Sequence, residues 1–174
     1  ALGCYDINAF TSYDYTNYQC RVPRNSLKKV LSVYGELFRN PVFRDFQSEL
    51  ETVYDEKNSY IEMPYYGFFD SYRAELYKGT AYEHPIIGKT EHLKNPSVEK
   101  LKSFFNDYYV PNNMAVFLIG NFDKQFALHT INKSFGKLPM DSVPTSPLLY
   151  QKSNLQGKVN LNSRTPVQTF LVSY

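Results

Sequence analysis

The 174-residue sequence contains no tryptophan, only two cysteines and no long uninterrupted apolar run. Two cysteines, Cys4 and Cys20, are too few for a disulfide scaffold, and whether they pair or stay free is left open by the sequence. The longest apolar runs, such as residues 114–119, fall far short of the roughly 20 residues that a membrane-spanning helix needs. These deficits predict a globular chain without a cysteine framework and without a membrane partner.

An excess of charge of one sign is also lacking. The 19 Lys and Arg nearly balance the 17 Asp and Glu, for a net charge of +2. Because the basic residues form no block, we expect no nucleic-acid partner. The GxSxG, CxxC, GxGxxG and phosphate-loop motifs are all missing. The three histidines, His84, His92 and His129, lack the close spacing of a metal site, so we do not expect them to bind metal.

Apolar and aromatic residues are what the sequence has in quantity. Hydrophobic residues make up 43% of the chain and charged residues 21%, with 16 Tyr and 13 Phe among them, which is the balance of a globular protein. The length is that of one domain, so residues 1–174 are predicted to form a single domain. Three prolines between residues 138 and 147 predict an exposed connection there.

Periodicity predicts an α+β domain. A Tyr-, Phe- and Thr-rich stretch over residues 7–22 predicts strand, with a bend near residues 12–14. The predicted helices cover about 26–38, 43–61, 64–77, 97–109 and 123–135, with Asn25 or Ser26, Ser97 and Asp123 as caps. Buried strand is predicted at 114–120, and further strands at 158–161 and 167–174. This order favours a mixed sheet with helices packed on one face.

Two carboxylates on the second predicted helix are the sharpest candidates for chemistry. Glu49 and Glu56 are seven residues apart, close to two helical turns, so both project from nearly one side and flank the apolar stripe. Such a pair is either a solvated helix edge or a ligand set held over a site. Periodicity alone favours the solvated edge, and the residues by themselves support only an α+β domain with a paired-carboxylate helix.

Three stretches, in order, resemble a known family. They are NAFTS at 8–12 with TNY at 16–18, then FRNPVF at 38–43, then HP at 84–85 with YYVPNNM at 108–114 and GNFD at 120–123. Their order and spacing are similar to the N-terminal active domain of the pitrilysin/insulinase (inverzincin) family of zinc metallopeptidases, and their wording is most similar to bacterial members. The resemblance covers nearly the whole chain and is weakest over the last 35 residues.

The resemblance implies a zinc site and a peptide-binding strand. In this family an inverted HxxEH motif supplies two His ligands and the general base. Glu56 then matches the third zinc ligand, and Glu49 matches the carboxylate that supports the site. Asn8, Ala9, Phe10 and Thr11 match a strand edge that pairs with extended peptide substrate. Without the resemblance, Asn8 is simply a turn residue before a strand.

The chain also departs from the family pattern. HxxEH is expected upstream of Asn8, before the first residue of this sequence, so the chain is interpreted as an N-terminally truncated fragment. Alone it is predicted to be inactive and prone to self-association through exposed apolar surface. The implied partner is a second homologous half-domain or subunit. The alternative function is a non-catalytic assembly or chamber-forming subunit of the same fold, although retention of both Glu49 and Glu56 favours the enzyme. The sequence leaves open both the substrate and the compartment, with the bacterial envelope and the cytoplasm both compatible with the resemblance.

Overall fold

The computed structural model describes residues 2–63, 65–94 and 96–144. The chain divides into two compact units. The first combines the described residues of Ala1–Arg44 and Ser97–Thr145, and the second combines those of Asp45–Pro96 and Ser146–Tyr174. The strands predicted at 158–161 and 167–174 lie outside the described residues. Each unit is taken by itself below.

The first unit opens with a β-hairpin. Strand β1 covers Tyr5–Thr11 and strand β2 covers Thr16–Arg21, paired antiparallel. The connection is closed by a hydrogen bond of 2.8 Å from the Ser12 N–H to the Tyr15 carbonyl. The bend predicted from the polar residues near position 12 is therefore confirmed as the turn of a hairpin.

Helices α1 (Leu27–Arg39) and α6 (Lys124–Phe135) form the core of this unit. Apolar side chains recur at three- and four-residue spacing along α1, which gives the helix one buried face. Leu27 and Leu31 of that face pack with Ala127 of α6. Val22, Leu118, Phe122, Ile131 and Phe135 surround this cluster. The packing fixes the end of the hairpin against the helices, because Val22 directly follows β2.

Helix capping was predicted correctly at two of three helix starts. The Ser97 hydroxyl accepts the N–H of Lys100 at the start of α5 (Val98–Tyr108). The Asp123 carboxylate accepts the N–H of Phe126 at 2.6 Å at the start of α6. At the start of α1 the cap prediction is wrong. A 3-10 turn over Arg24–Ser26 leads into that helix, and Ser26 already has helical backbone angles and makes no capping bond.

An aromatic cluster joins the hairpin to the helices. The Tyr18 ring of β2 packs edge-on against Phe38 of α1 at 5.3 Å, and its hydroxyl lies 2.9 Å from that of Tyr109. Tyr109 in turn stacks on Phe105 at 4.3 Å and on Phe38 at 5.9 Å. Rings in such contact add about 0.5–1.5 kcal/mol per pair beyond their burial. The hairpin is thereby held at a fixed position in its unit.

The described part of the second unit contains helices α2 (Phe46–Ile61), α3 (Tyr66–Leu76) and α4 (Thr90–Lys94), with a 3-10 turn at Ala81–Glu83. Helix α2 begins three residues later than predicted, because the residue before it, Asp45, has a left-handed φ of 54°. The prediction that Pro64 opens α3 falls on a residue outside the described ones.

The segment 114–120 is not the buried strand that its apolar run predicts. Leu118 packs on the core, but Phe117 is 84% exposed and Ile119 is 99% exposed. A strand requires a partner backbone, and the only sheet in the part of the chain that the structure describes is the β1–β2 hairpin. The α+β class is confirmed. No helix within residues 2–63, 65–94 and 96–144 is long and apolar enough to cross a membrane.

Candidate functional site

The two predicted carboxylates both lie on α2. Glu49 is in the first turn of that helix and its N–H bonds to the Asp45 carbonyl at 3.0 Å. Glu56 follows two turns later, so the two residues are about 10.5 Å apart along the axis and project from nearly the same side. Both are exposed. Because both carboxylates are exposed, they are hydrated and accessible to a binding partner. The negative charge of Glu49 is favourable near a helix N-terminus.

Glu56 has a hydrogen-bond partner that the sequence analysis missed. Its Oε1 accepts the hydroxyl of Tyr60 at 3.2 Å, and this contact raises the pKa of Tyr60, because the carboxylate charge opposes the phenolate. The Tyr60 ring stacks on Tyr66 of α3 at 5.9 Å. The Tyr60 side chain therefore orients Glu56, and Tyr60 is held in place by its stacking on Tyr66 of a second helix. The spacing of four residues on a helix could have identified Tyr60 from the sequence.

The residue next to Glu56 fixes the helix in place. Lys57 is only 6% exposed, although the sequence pattern placed no charge on the buried face. Its ammonium donates to the carbonyl of Gly88, in the loop between the 3-10 turn and α4. A buried lysine must have such an acceptor, since an unpaired buried charge is costly. The consequence is that Lys57 points inward while Glu56, about 100° further round the helix, stays outside.

The described residues do not complete a zinc site. Within residues 2–63, 65–94 and 96–144, no three His, Cys, Asp or Glu side chains are grouped so that they could hold a metal ion. The three histidines are exposed and outside any such group. A catalytic zinc needs three protein ligands. In the part of the chain that the structure describes, Glu49 and Glu56 do not belong to such a group.

The predicted substrate strand is β1. Residues Asn8 to Thr11 are all exposed, and they pair with β2 in the register Asn8–Gln19 to Thr11–Thr16. The other edge of β1 has no partner strand among the described residues. The Asn8 Oδ1 accepts the N–H of Ala9 at 2.9 Å, which leaves the amide group of Asn8 available as a donor. The edge can accept an added strand, because a free strand edge offers its main-chain groups.

A register shift precedes this segment. Between Tyr5 and Asn8 the ladder is irregular, and Asp6 there has a left-handed φ of 50°. The Asp6 carboxylate forms an exposed ion pair with Arg21 at 3.2 Å. No pattern in the sequence indicates this irregularity, which lies just before the predicted substrate-binding residues.

The carboxylate pair belongs to the second unit and the strand edge to the first. The structure therefore brings Glu49 and Glu56 together on one helix, and Asn8, Ala9, Phe10 and Thr11 together on one strand.

Comparison with known proteins identifies related chains. Residues 2–90 match the family model described as Insulinase (Peptidase family M16), and residues 96–172 match the one described as Peptidase M16 inactive domain. An uncharacterized zinc protease of Bacillus subtilis, YmxG, is 28% identical over 132 residues, covering 75% of this chain and 32% of that protein. The zinc protease PqqE of Helicobacter pylori is 28% identical over 156 residues, covering 86% of this chain and 34% of that protein.

A solved structure has the same fold. The first half of the periplasmic protease PqqL from Escherichia coli superposes with a TM-score of 0.73 at 24% identity, covering 84% of this chain and 32% of that one. The chain spans about a third of the length of the curated relatives it matches.

Proposed function

Because this chain belongs to the insulinase family, peptidase family M16, we propose that it forms part of a zinc-dependent metallopeptidase that hydrolyses peptide bonds. The observation that carries the proposal is the match of residues 2–90 to the family, in a segment that retains Glu49 and Glu56 on one side of α2. Relatives from two bacteria are named zinc proteases. The described residues contain no group of three metal-ligating side chains, so the 174-residue chain by itself is inactive under this proposal.

The two carboxylates have different roles in the proposed site. Glu56 is the zinc ligand, and the Tyr60 hydroxyl at 3.2 Å holds it in orientation. Glu49 is the supporting carboxylate, two turns nearer the helix N-terminus. The ligand and its hydrogen-bond partner are held on rigid helices, and ligands held in this way keep the geometry that zinc requires.

The proposed substrate is a peptide in extended conformation. It would add to the free edge of β1 along Asn8, Ala9, Phe10 and Thr11, with main-chain hydrogen bonds providing most of the affinity. The Asn8 amide is a side-chain donor at the start of that edge. Binding of this kind tolerates many sequences, which fits a general peptide substrate.

The test compares zinc content and peptide cleavage in the natural full-length protein, in Glu56→Gln and in Glu51→Gln. Glu51 lies exposed on the same helix and serves as the matched control. We expect the wild type and Glu51→Gln to bind about one zinc and to cleave, and Glu56→Gln to do neither, because a neutral amide is a much poorer zinc ligand than a carboxylate. A Glu56→Gln protein that keeps zinc and full activity would contradict the assignment.

A second candidate is a non-catalytic assembly or chamber-forming subunit. It is favoured by the match of residues 96–172 to the inactive domain of the family. The same measurement separates the two functions, since a natural protein without zinc and without cleavage would support the assembly subunit.

A further inference from the structure

The two cysteines face each other at the open end of the hairpin. Cys20 lies on β2, and Cys4 lies directly before the first paired residue of β1, Tyr5, which is opposite Arg21. Cys4 and Cys20 are therefore diagonal neighbours on the same face of the ladder. Both are half-buried free thiols, and desolvation together with the neighbouring Cys20 thiol raises the pKa of Cys4.

The surroundings hold Cys20 while leaving Cys4 some freedom. Cys20 also has a neighbour on α1, because burial and then the Cys20 thiol raise the pKa of Tyr34. Cys4 lies outside the ladder, next to Gly3 with its left-handed φ of 71°. A disulfide requires Cα atoms about 4.4–6.8 Å apart and a specific dihedral angle. The unpaired backbone at Cys4 can make the small adjustment that this geometry needs.

We propose that Cys4 and Cys20 are a redox modification site that forms an intramolecular disulfide across the open end of the β1–β2 hairpin. The oxidant is a low-molecular-weight disulfide. The thiolate of one cysteine attacks the oxidant, which releases one thiol and leaves a mixed disulfide. The second thiolate then attacks the protein sulfur and releases the second thiol. The two cysteines lose two protons and two electrons, and one oxidant disulfide becomes two thiols.

The bridge closes a loop that contains the hairpin from Tyr5 to Gln19. It links the segment before the register shift at Asp6 to β2, directly beside the edge residues that begin with Asn8. Oxidation would therefore restrict the opening of the hairpin end.

The experiment treats the reduced 174-residue chain with oxidised glutathione in the presence of a chelator. Intact mass and free thiols are then measured for the wild type, for Cys4→Ser, and for a control that carries Cys4→Ser together with Ser103→Cys. The control keeps two thiols but places one on the exposed face of α5. We expect the wild type to lose both thiols and the mass of two hydrogens without forming disulfide-linked dimers, with the peptides containing Cys4 and Cys20 joined.

Under the same conditions Cys4→Ser should acquire only a mixed disulfide with glutathione, and the control should form the internal bridge at least tenfold more slowly. Three results would overturn the proposal. They are two glutathione adducts without an internal bridge in the wild type, disulfide-linked dimers in its place, or a control that bridges as fast as the wild type.

Discussion

Helices α1 and α6 come unusually close at Gly35, and this contact predicts the effect of adding one methyl group. A Cβ on Gly35 would lie 2.9 Å from both the carbonyl carbon and the Cβ of Ser134, and 3.0 Å from the Ser134 oxygen. Carbon atoms in favourable contact are about 3.5–4.0 Å apart. Two of the three atoms belong to the backbone, so no side-chain rotation can relieve the overlap, and the helices must separate.

The expected cost of Gly35→Ala follows from two opposing terms. Overpacking of this kind costs about 1–3 kcal/mol, and replacing a helical glycine by alanine returns up to about 1 kcal/mol. With an overpacking cost in the middle of its range, the net loss is about 1 kcal/mol, which lowers Tm by about 2–4 °C for a chain of this size. Thermal unfolding followed by circular dichroism measures it.

Gly67→Ala is the matched control, because Gly67 also lies in a helix but a Cβ there meets nothing within 4 Å. We expect that variant to unfold at the same temperature as the wild type or slightly higher. The reasoning would be refuted by a Gly35→Ala protein at least as stable as the wild type, because α1 and α6 would then have room for a Cβ at position 35.

Three further outcomes are expected. Asp123→Ala should lower the free energy of unfolding by about 1 kcal/mol, because the N-cap hydrogen bond of α6 is lost. Asp123→Asn should retain most of the stability that the cap contributes, and urea denaturation of both variants compares them. Burial and the contact with Cys20 raise the pKa of Tyr34 to about 12, so stability should be intact below about pH 10 and fall as the pH rises towards 12; Tyr34→Phe should show a smaller alkaline loss when melting is followed against pH. The double variant Phe117→Ser with Ile119→Ser should change the free energy of unfolding by no more than about 0.5 kcal/mol. It should also self-associate less than the wild type in sedimentation velocity. Undiminished self-association would show that these two exposed side chains do not cause it.

Local patterns were sufficient for much of the fold. The spacing of apolar residues in α1 predicted that helix, since a helix buries one face. Ser97 and Asp123 were recognised as caps because a short polar side chain at that position satisfies a free N–H. The polar residues near position 12 predicted a bend in the strand-like stretch, and the structure shows that this bend is the turn of a hairpin. Each of these features depends on residues only a few positions apart, and the sequence contains all of that information.

The incorrect predictions concern residues whose environment depends on contacts with parts of the chain that are distant in sequence. Segment 114–120 has the composition of a buried strand, but composition cannot supply a second strand to pair with it. Lys57 has the charge of a surface residue, and only the Gly88 carbonyl, far along the chain, makes its burial possible.

Some features of the candidate site also follow from the local sequence, and others depend on long-range packing. The helical spacing of Glu49 and Glu56 was determined by the sequence, because two turns of a helix always return to nearly the same side. The exposure of that side and the stacking of Tyr60 on Tyr66 were decided by the packing of α2. A sequence specifies which groups a helix carries and in what rotation. Which of them face solvent, and which meet a partner, is decided when long-range contacts place that helix among its neighbours.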